Sequence, residues 1–577
     1  MSRLVYGFGP YRFDPRARVL HRGAEGTALP PKAAETLLAL VRNPGEVLEK
    51  DDLLKNVWSD AVVGEGSLTR TISILRKALG GTGNDQPYIA TVSKRGYRFI
   101  APVTALEEQP LASGEPRLML AVLPFANPAG DREEEFFSDG LTEEMITWLS
   151  RLNPSRLGVI ARTSAMRFKG SDKSIRQIGA ELGVAFLLAG SVRRAGGRVR
   201  IAAQLIQVSD ETAVWADRYE RSLEDIWKLQ SEVAQAIARE VQVKLQPGQE
   251  RRLAEAGEVS PEAYEAYLRG RHFCNKRTEE GMRRSIDHYQ QAIRQQPGYA
   301  AAHAGMADAY TVLACRGMVP ARETLGQAKR AAEKALELDA DLGEAQGSLA
   351  HVRLHLWDWE GLEEQFQRAL DLSPAQAIFA YWYAQYLMSR GRPDEAVALA
   401  RRAHRTDPLS PVVASSLGMV LYLARRYDEA VDVLERAREI DDGHFLLHLR
   451  LGLVRTQQRK FAEAIRRLKR SVELAAESTE TLAALALAHA AAGETKPAQR
   501  LVAKLMDLQG TRYVLPYNLA RVHAAGNERE RALKWLETAY ADANPDLIEL
   551  NSEPVFDGIR AEPRFREIER GVQRLKS

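Results

Sequence analysis

"YIATVSKRGYRFIAP", Tyr88 to Pro102, decides how the first hundred residues are read. Thr91-Val92 and Tyr97 to Phe99 carry the β-branched and aromatic bias of strands, and Ser93-Lys94-Arg95-Gly96 has the composition of a turn. The stretch predicts a β-hairpin with two cations, Lys94 and Arg95, at its tip and Gly96 permitting the turn. A solvated loop would show the same charges, so the flanking sequence has to decide.

Upstream lies "GSLTRTISILRKALGG", residues 66–81. Leu68, Ile72, Leu75 and Leu79 fall on one face of a helix that Gly80-Gly81 would end. The opposite face carries Arg70, Ser73, Ile74 and Lys77, with Thr71 and Arg76 on its flanks and Ser67 in its first turn. Ile74 is the one large aliphatic side chain on this polar face; it fits either a thymine methyl group or packing onto the scaffold. "KAAETLLALVRNPG" and "EKDDLLKNVW" read as two more short amphipathic helices, and "LVYGFGPYRFDPRARVLHRG" ahead of them is strand-like. The order is β, α, α, α, β-hairpin.

That order, with "NPGEVLEKDDLLKNVW", "SLTRTISILRKALG" and "YIATVSKRGYRF", resembles the OmpR/PhoB-type winged-helix DNA-binding domain over residues 4–103. The resemblance implies that the third helix enters the major groove of double-stranded DNA and that the hairpin is the wing. Ser67, Arg70, Thr71, Ser73, Ile74, Arg76, Lys77, Lys94 and Arg95 are then the expected DNA-binding residues. Residues 1–103 hold 15 Lys and Arg against 10 Asp and Glu, a lean toward a polyanionic partner.

The chain of 577 residues is too long for one hydrophobic core. No run of about 18 apolar residues is present, and the N-terminus lacks the apolar stretch of a signal peptide, so a cytoplasmic protein without a membrane span is expected. Cys274 and Cys315, far apart, support neither a disulfide framework nor a cysteine zinc site.

The C-terminal half is periodic. Ala328, Ala396, Ala430, Ala464, Ala498 and Ala532 share a register of 34 residues, with Leu362 in the remaining slot. A second series, Ala350, Ala384, Gly418, Gly452, Ala486 and Ala520, keeps the same period, each member preceded by a large residue. Small residues recur where helices approach closely, and Pro374 and Pro408 stop second helices. Residues 262–544 resemble tetratricopeptide repeats, about eight of them, with a nine-residue insertion near Cys315 to Arg322. "SEPVFDGIRAEPRFREIERGV" resembles the segment that closes such arrays. First-helix positions would line a concave groove: His351 and His355, then Tyr381, Gln385 and Met388, Met419 and Tyr422, and Leu453. Such a groove suits a protein or peptide, although some of these side chains would only pack against the neighbouring repeat. His351/His355 and His444/His448 have i, i+4 spacing, but no third ligand is tied to them by sequence, and no metal or cofactor is expected.

Between a linker at residues 105–116 and the repeats, strands and helices alternate and end in a hairpin across Gly196-Gly197 and a long helix, about Leu223 to Leu245. This predicts a mixed α/β domain. "AVLPFAN", "FSDGLTEEMITWLSR", "ARTSAMRFKG" and "GSVRRAGGRVRIAAQL" resemble a TolB N-terminal-like domain. No phosphate-binding loop, HExxH or GxSxG frame is present, so catalysis is not expected.

The expected architecture is therefore multidomain: a winged helix-turn-helix at 1–104, a middle α/β domain at 117–250, and an all-α repeat superhelix with its cap at 260–577. It resembles HilA-like regulators, and differs from the CadC/ToxR-like ones in having no spanning helix. The expected function is transcriptional regulation, with pairing of two copies on DNA left open. The rival reading is an interaction scaffold whose winged helix no longer binds DNA.

Overall fold

A computed structural model describes residues 3–8, 11–15, 19–22, 25–57, 65–79, 88–93, 95–101, 103–108, 117–128, 130–131, 134–154, 156–195, 198–222, 225–241 and 259–573. Lys94 of the hairpin tip lies outside them. The chain divides into two compact units, Met1–Glu115 and Pro116–Ser577.

In the first unit, β1 (Arg3–Phe8), β2 (Tyr11–Asp14), β3 (Val19–Arg22) and β4 (Glu25–Ala28) form an antiparallel sheet that β8 (Thr104–Glu108) completes beside β1. The expected linker therefore begins with a strand. Helices α1 (Pro31–Arg42), α2 (Lys50–Val57) and α3 (Glu65–Ala78) follow, and a short sheet joins β5 (Val47–Glu49) to the hairpin β6 (Ile89–Val92) and β7 (Gly96–Phe99). Leu68, Ile72, Leu75 and Leu79 are buried against Phe13, Leu37, Leu40 and Phe99, so the apolar stripe of α3 is the core contact the periodicity predicts. Gly96 serves a different purpose from the expected one. It pairs with Glu49 inside the sheet, and a Cβ there would stand 1.9 Å from the Leu48 carbonyl oxygen. The glycine lets β5 and β7 approach; it does not make the turn.

The second unit opens with a five-stranded sheet. β9 (Leu118–Val122) lies parallel between β10 (Leu157–Val159) and β11 (Phe186–Ala195), and β12 (Arg198–Gln207) and β13 (Thr212–Ser222) continue it antiparallel. The exposed, largely polar β13 had no expected counterpart; its apolar positions are too few to show a period. Helices α4 (Glu135–Leu152), α5 (Arg162–Met166), α6 (Ile175–Leu182) and α7 (Ile226–Glu240) complete the domain.

Sixteen helices then pair as eight antiparallel hairpins, α8 (Pro261–Cys274) with α9 (Glu279–Gln295) through α22 (Pro516–Ala525) with α23 (Arg529–Ala541). The small-residue registers sit at helix crossings: Ala350, Ala384, Ala430 and Ala464 have no exposure, and a Cβ on Gly452 would stand 2.3 Å from Leu468. The insertion is absorbed as helix length. α10 (Ala300–Cys315) has 16 residues and α11 (Ala321–Leu338) has 18, whereas α12 (Gly343–His355) has 13 and α13 (Leu362–Leu372) has 11. After α23 the chain makes two 3-10 turns, Pro545–Glu549 and Pro554–Phe556, and ends in α24 (Pro563–Gln573).

This closing segment runs back along the first helices of the middle repeats. Tyr422 Oη donates to Glu553 Oε1 at 2.6 Å, Trp359 Nε1 donates to the Val572 carbonyl at 2.9 Å, and Gln573 Nε2 donates to the Ser389 carbonyl at 2.9 Å. Three of the expected groove residues are core, Tyr422 among them because it bonds to this segment. Tyr422 on α16 (Pro411–Leu423), Leu453 on α18 (Phe445–Gln457) and Met388 on α14 (Ala377–Ser389) are 1%, 1% and 5% exposed. First-helix register alone cannot distinguish a groove wall from a surface that the chain's own C-terminus covers.

Candidate functional site

On α3 the side chains of Arg70, Ser73 and Lys77 are exposed, and Ile74 is 37% exposed, so the isoleucine does not fold back onto its own domain. Ser67 is half-buried in the first turn. Two expected readers are placed otherwise. Thr71 is buried, and its hydroxyl donates to the Ser67 carbonyl at 2.9 Å, so it belongs to the helix. Arg76 turns toward the hairpin, where Nη2 donates to the Ile89 carbonyl at 2.9 Å and to Thr91 Oγ1 at 2.8 Å. It holds helix and wing together. Arg95, at the tip, is 66% exposed and lies 3.8 Å from Glu49, a loose surface pair. The face therefore presents three polar or cationic side chains and one isoleucine on a helix, with an exposed arginine on the adjoining hairpin.

The second unit holds an open-sided cavity of about 1990 Å³. Its walls come from α4 and α5 of the α/β domain, from first helices of the repeats, and from Asp546 and Glu549 of the closing segment. The expected groove residues Tyr381, Gln385 and Met419 reach it, as do His351 and His355. Met419 is only 3% exposed.

Buried polar contacts dock the α/β domain against the repeats. Ser164, on α5, donates from Oγ to Asp407 Oδ1 at 2.6 Å and from its backbone N–H at 2.9 Å, and Leu409 N–H donates back to Ser164 Oγ at 2.9 Å. Arg151 pairs with Glu344 at 2.7 Å, and Arg271 and Asn275 both donate to Glu143. Burial alone would raise Glu143, but Arg271 and Arg162 beside it hold its carboxyl below the ordinary range. Its neighbour Glu144 is pushed up to about 7 by burial in the cavity wall. Asp546 and Glu549 are pushed up together, first by burial and then by nearby carboxylates: Glu480 for Asp546, and Asp546 itself for Glu549. Three carboxyl groups of the cavity wall, Glu144, Asp546 and Glu549, are thus raised by burial, and Arg450 and Arg521 in the same wall oppose the shift of Asp546 and Glu549.

Sequence reasoning missed the docking of α5 onto Asp407 and the fold-back of the C-terminus. A weak signal existed for the first: Asp407 precedes the register proline Pro408, yet is an acidic residue that the structure buries.

Comparison with known proteins places family matches on all three regions. Residues 24–99 match the model described as transcriptional regulatory protein, C terminal; residues 116–236 match HilA/YgeH-like transcriptional regulator, second domain; residues 387–451 match the tetratricopeptide repeat. The N-terminal region is thus a winged-helix domain of the transcriptional-regulator type, and the C-terminal region carries tetratricopeptide repeats. The match at 116–236 describes the middle region as similar to the second domain of HilA/YgeH-like regulators and does not confirm the TolB resemblance. The chain is 27% identical over 396 residues to the transcriptional regulator HilA of Salmonella typhimurium, covering 67% of this chain and 68% of that protein. It is 42% identical over 208 residues to a putative adenylate cyclase 3 of Rhizobium meliloti, covering 36% of this chain. The chain spans about a third of that protein's length, 34%. The solved DNA-binding domain of E. coli CadC aligns over 18% of this chain and all of that one, at 34% identity and a TM-score of 0.17.

Proposed function

We propose that this chain is a transcriptional regulator in which α3 reads the major groove and the β6–β7 hairpin reaches the backbone of double-stranded DNA. The observation that carries the reading is the single face on which Arg70, Ser73, Ile74 and Lys77 stand exposed while Arg76 fixes the hairpin bearing Arg95. Arg70 and Lys77 contribute base or phosphate contacts, Ile74 meets thymine methyl groups, and Arg95 contacts phosphate or a narrow minor groove. Two copies act on paired half-sites, in the cytoplasm. Among the described residues no helix is long and apolar enough to cross a membrane.

The cavity of the second unit receives the signal. Its volume of about 1990 Å³ exceeds the roughly 300–1,000 Å³ of small-molecule pockets, so its ligand is a peptide segment with charges of both signs. No catalytic role is assigned. The match to the cyclase-named protein covers 34% of that protein, and the matched models describe regulators and repeats. Cyclic AMP formation from ATP by the purified chain would contradict this.

Selection of genomic fragments by the purified full chain, followed by footprinting, tests the DNA reading. Recovery of a shared sequence protected over two turns of the duplex supports it. The rival scaffold reading predicts no enrichment over a chain carrying Arg70→Ala and Lys77→Ala together.

A further inference from the structure

Three metal-ligating side chains meet in the cavity wall. Cys315 is the last residue of the lengthened α10, and His351 and His355 stand one turn apart on α12. One donor atom from each of the three lies within 4.8 Å of the other two, and all three side chains line the cavity. The Nε2 atoms of His351 and His355 are 3.1 Å apart. A tetrahedral zinc ion with Zn–N bonds of about 2.0–2.1 Å sets two ligating nitrogens about 3.3 Å apart, so the pair needs almost no movement to share one ion.

The surroundings orient these donors. His355 Nδ1 is 3.1 Å from the Pro545 carbonyl oxygen, to which it donates, leaving the Nε2 lone pair aimed into the cluster. The His351 ring is stacked on Trp382 with centroids 3.9 Å apart, which fixes its plane. Burial first, and then the Asp546 and Asp308 carboxylates, hold the Cys315 thiol well above its ordinary range, so an ion bound there has to displace the thiol proton; the nearby cation Arg277 is paired with Asp308 at 3.1 Å. Two imidazoles and a thiol are the wrong donors for calcium or magnesium and suit a borderline or soft transition ion.

We propose that Cys315, His351 and His355 bind one zinc-type divalent ion, with the fourth coordination position open to the cavity. On binding, the Cys315 S–H bond is replaced by an S–metal bond and its proton leaves to water; both imidazoles stay neutral and nothing is oxidised or reduced. The ion joins α10 to α12, and through His355 and Pro545 it ties the closing segment to the third repeat. It also offers a Lewis-acidic position to a ligand in the cavity.

The test uses the full chain, stripped with a chelator and titrated with zinc against a chromophoric competitor, and separately with cobalt. The expected result is one zinc per chain and a cobalt spectrum with tetrahedral bands and a thiolate charge-transfer band. Cys315→Ser should abolish that band and weaken zinc by about 100-fold or more, while Cys274→Ser changes neither. In the Cys274→Ser chain, where Cys315 is the only thiol, zinc should also protect against alkylation; this readout stands even if histidine variants fail to fold. No saturable zinc uptake would overturn the proposal and leave His351 and His355 as a hydrogen-bonded neutral pair. Uptake unchanged by Cys315→Ser, without a charge-transfer band, would overturn it by placing the ion elsewhere.

Discussion

Arg76 and Thr91 are 15 residues apart in the chain and 2.8 Å apart in space, Nη2 to Oγ1, and this bond joins the exposed helix to the hairpin. If the face proposed above reads DNA, a helix and hairpin tied in this way meet it as one pre-ordered surface, so little ordering cost falls on binding. Arg76→Ala should weaken DNA binding broadly without changing which site is preferred. Arg70→Ala should cost about 1–3 kcal/mol and relax preference at one position. Binding assays on a panel of single-position operator variants separate the two. The same loss of preference in both variants would show that Arg76 reads bases itself.

Ile74 is exposed on the same face, and the proposed reading sets it against thymine methyl groups, the apolar feature of the major groove. Ile74→Ala should lower affinity for sites containing thymine but not for the same sites with uracil, with an unchanged melting temperature. Equal losses on the two DNAs would assign Ile74 to a contact with a neighbouring protomer.

Glu553 is fully buried, accepts from Tyr422 and pairs with Arg521 at 3.1 Å; burial alone would lower the Arg521 guanidinium, but Glu553 beside it holds it above its usual range. Glu553→Gln leaves a buried cation without its partner and should destabilise the second unit by about 3 kcal/mol in urea unfolding. Adding Arg521→Met should recover part of that loss, because the orphaned charge is then gone. Tyr422→Glu should unfold the repeats for the related reason that it places a second carboxylate beside Glu553.

Burial raises Glu144 from its ordinary 4.5 to about 7. The folded state therefore holds a proton that the unfolded state has released, and stability falls as pH rises between those two values. The loss is complete above about 7 and amounts to roughly 1–3 kcal/mol, since cavity water reaches part of the side chain. Glu144→Gln should make that stretch of the stability profile less steep, the remaining fall belonging to Asp546 and Glu549, which burial raises over an overlapping interval. A profile rising with pH over the same interval would contradict the assignment.

What the sequence disclosed follows the range of its signals. The stripe of α3 and the 34-residue registers are local periodicities, and each ends in a buried contact: Leu75 in the first unit, Ala350 against its neighbouring helix in the second. The groove was half legible. Tyr381, Gln385 and Met419 do reach the cavity, but nothing local to Tyr422 announces that Glu553, 131 residues later, will cover it. Thr71 and Arg76 show the same limit at short range: helical angle separates faces, but it does not say which flanking side chain bonds to its own backbone and which to a hairpin. Cys315 was visible only as an odd residue beside an insertion. Its approach to His351 depends on where the lengthened α10 ends, which is a property of the folded array.

The most direct measurement is the salt dependence of full-chain binding to its selected DNA fragment, compared with Arg95→Ala. Each phosphate neutralised contributes about 0.9 to the slope of log affinity against log salt, so a face with three or more bound cations predicts a slope of about −3 or steeper. Arg95→Ala should reduce that slope by about 1 while keeping the preferred sequence. A slope near zero, or one that Arg95→Ala and Lys77→Ala both leave unchanged, would contradict the assignment of α3 and the hairpin as the DNA-binding face.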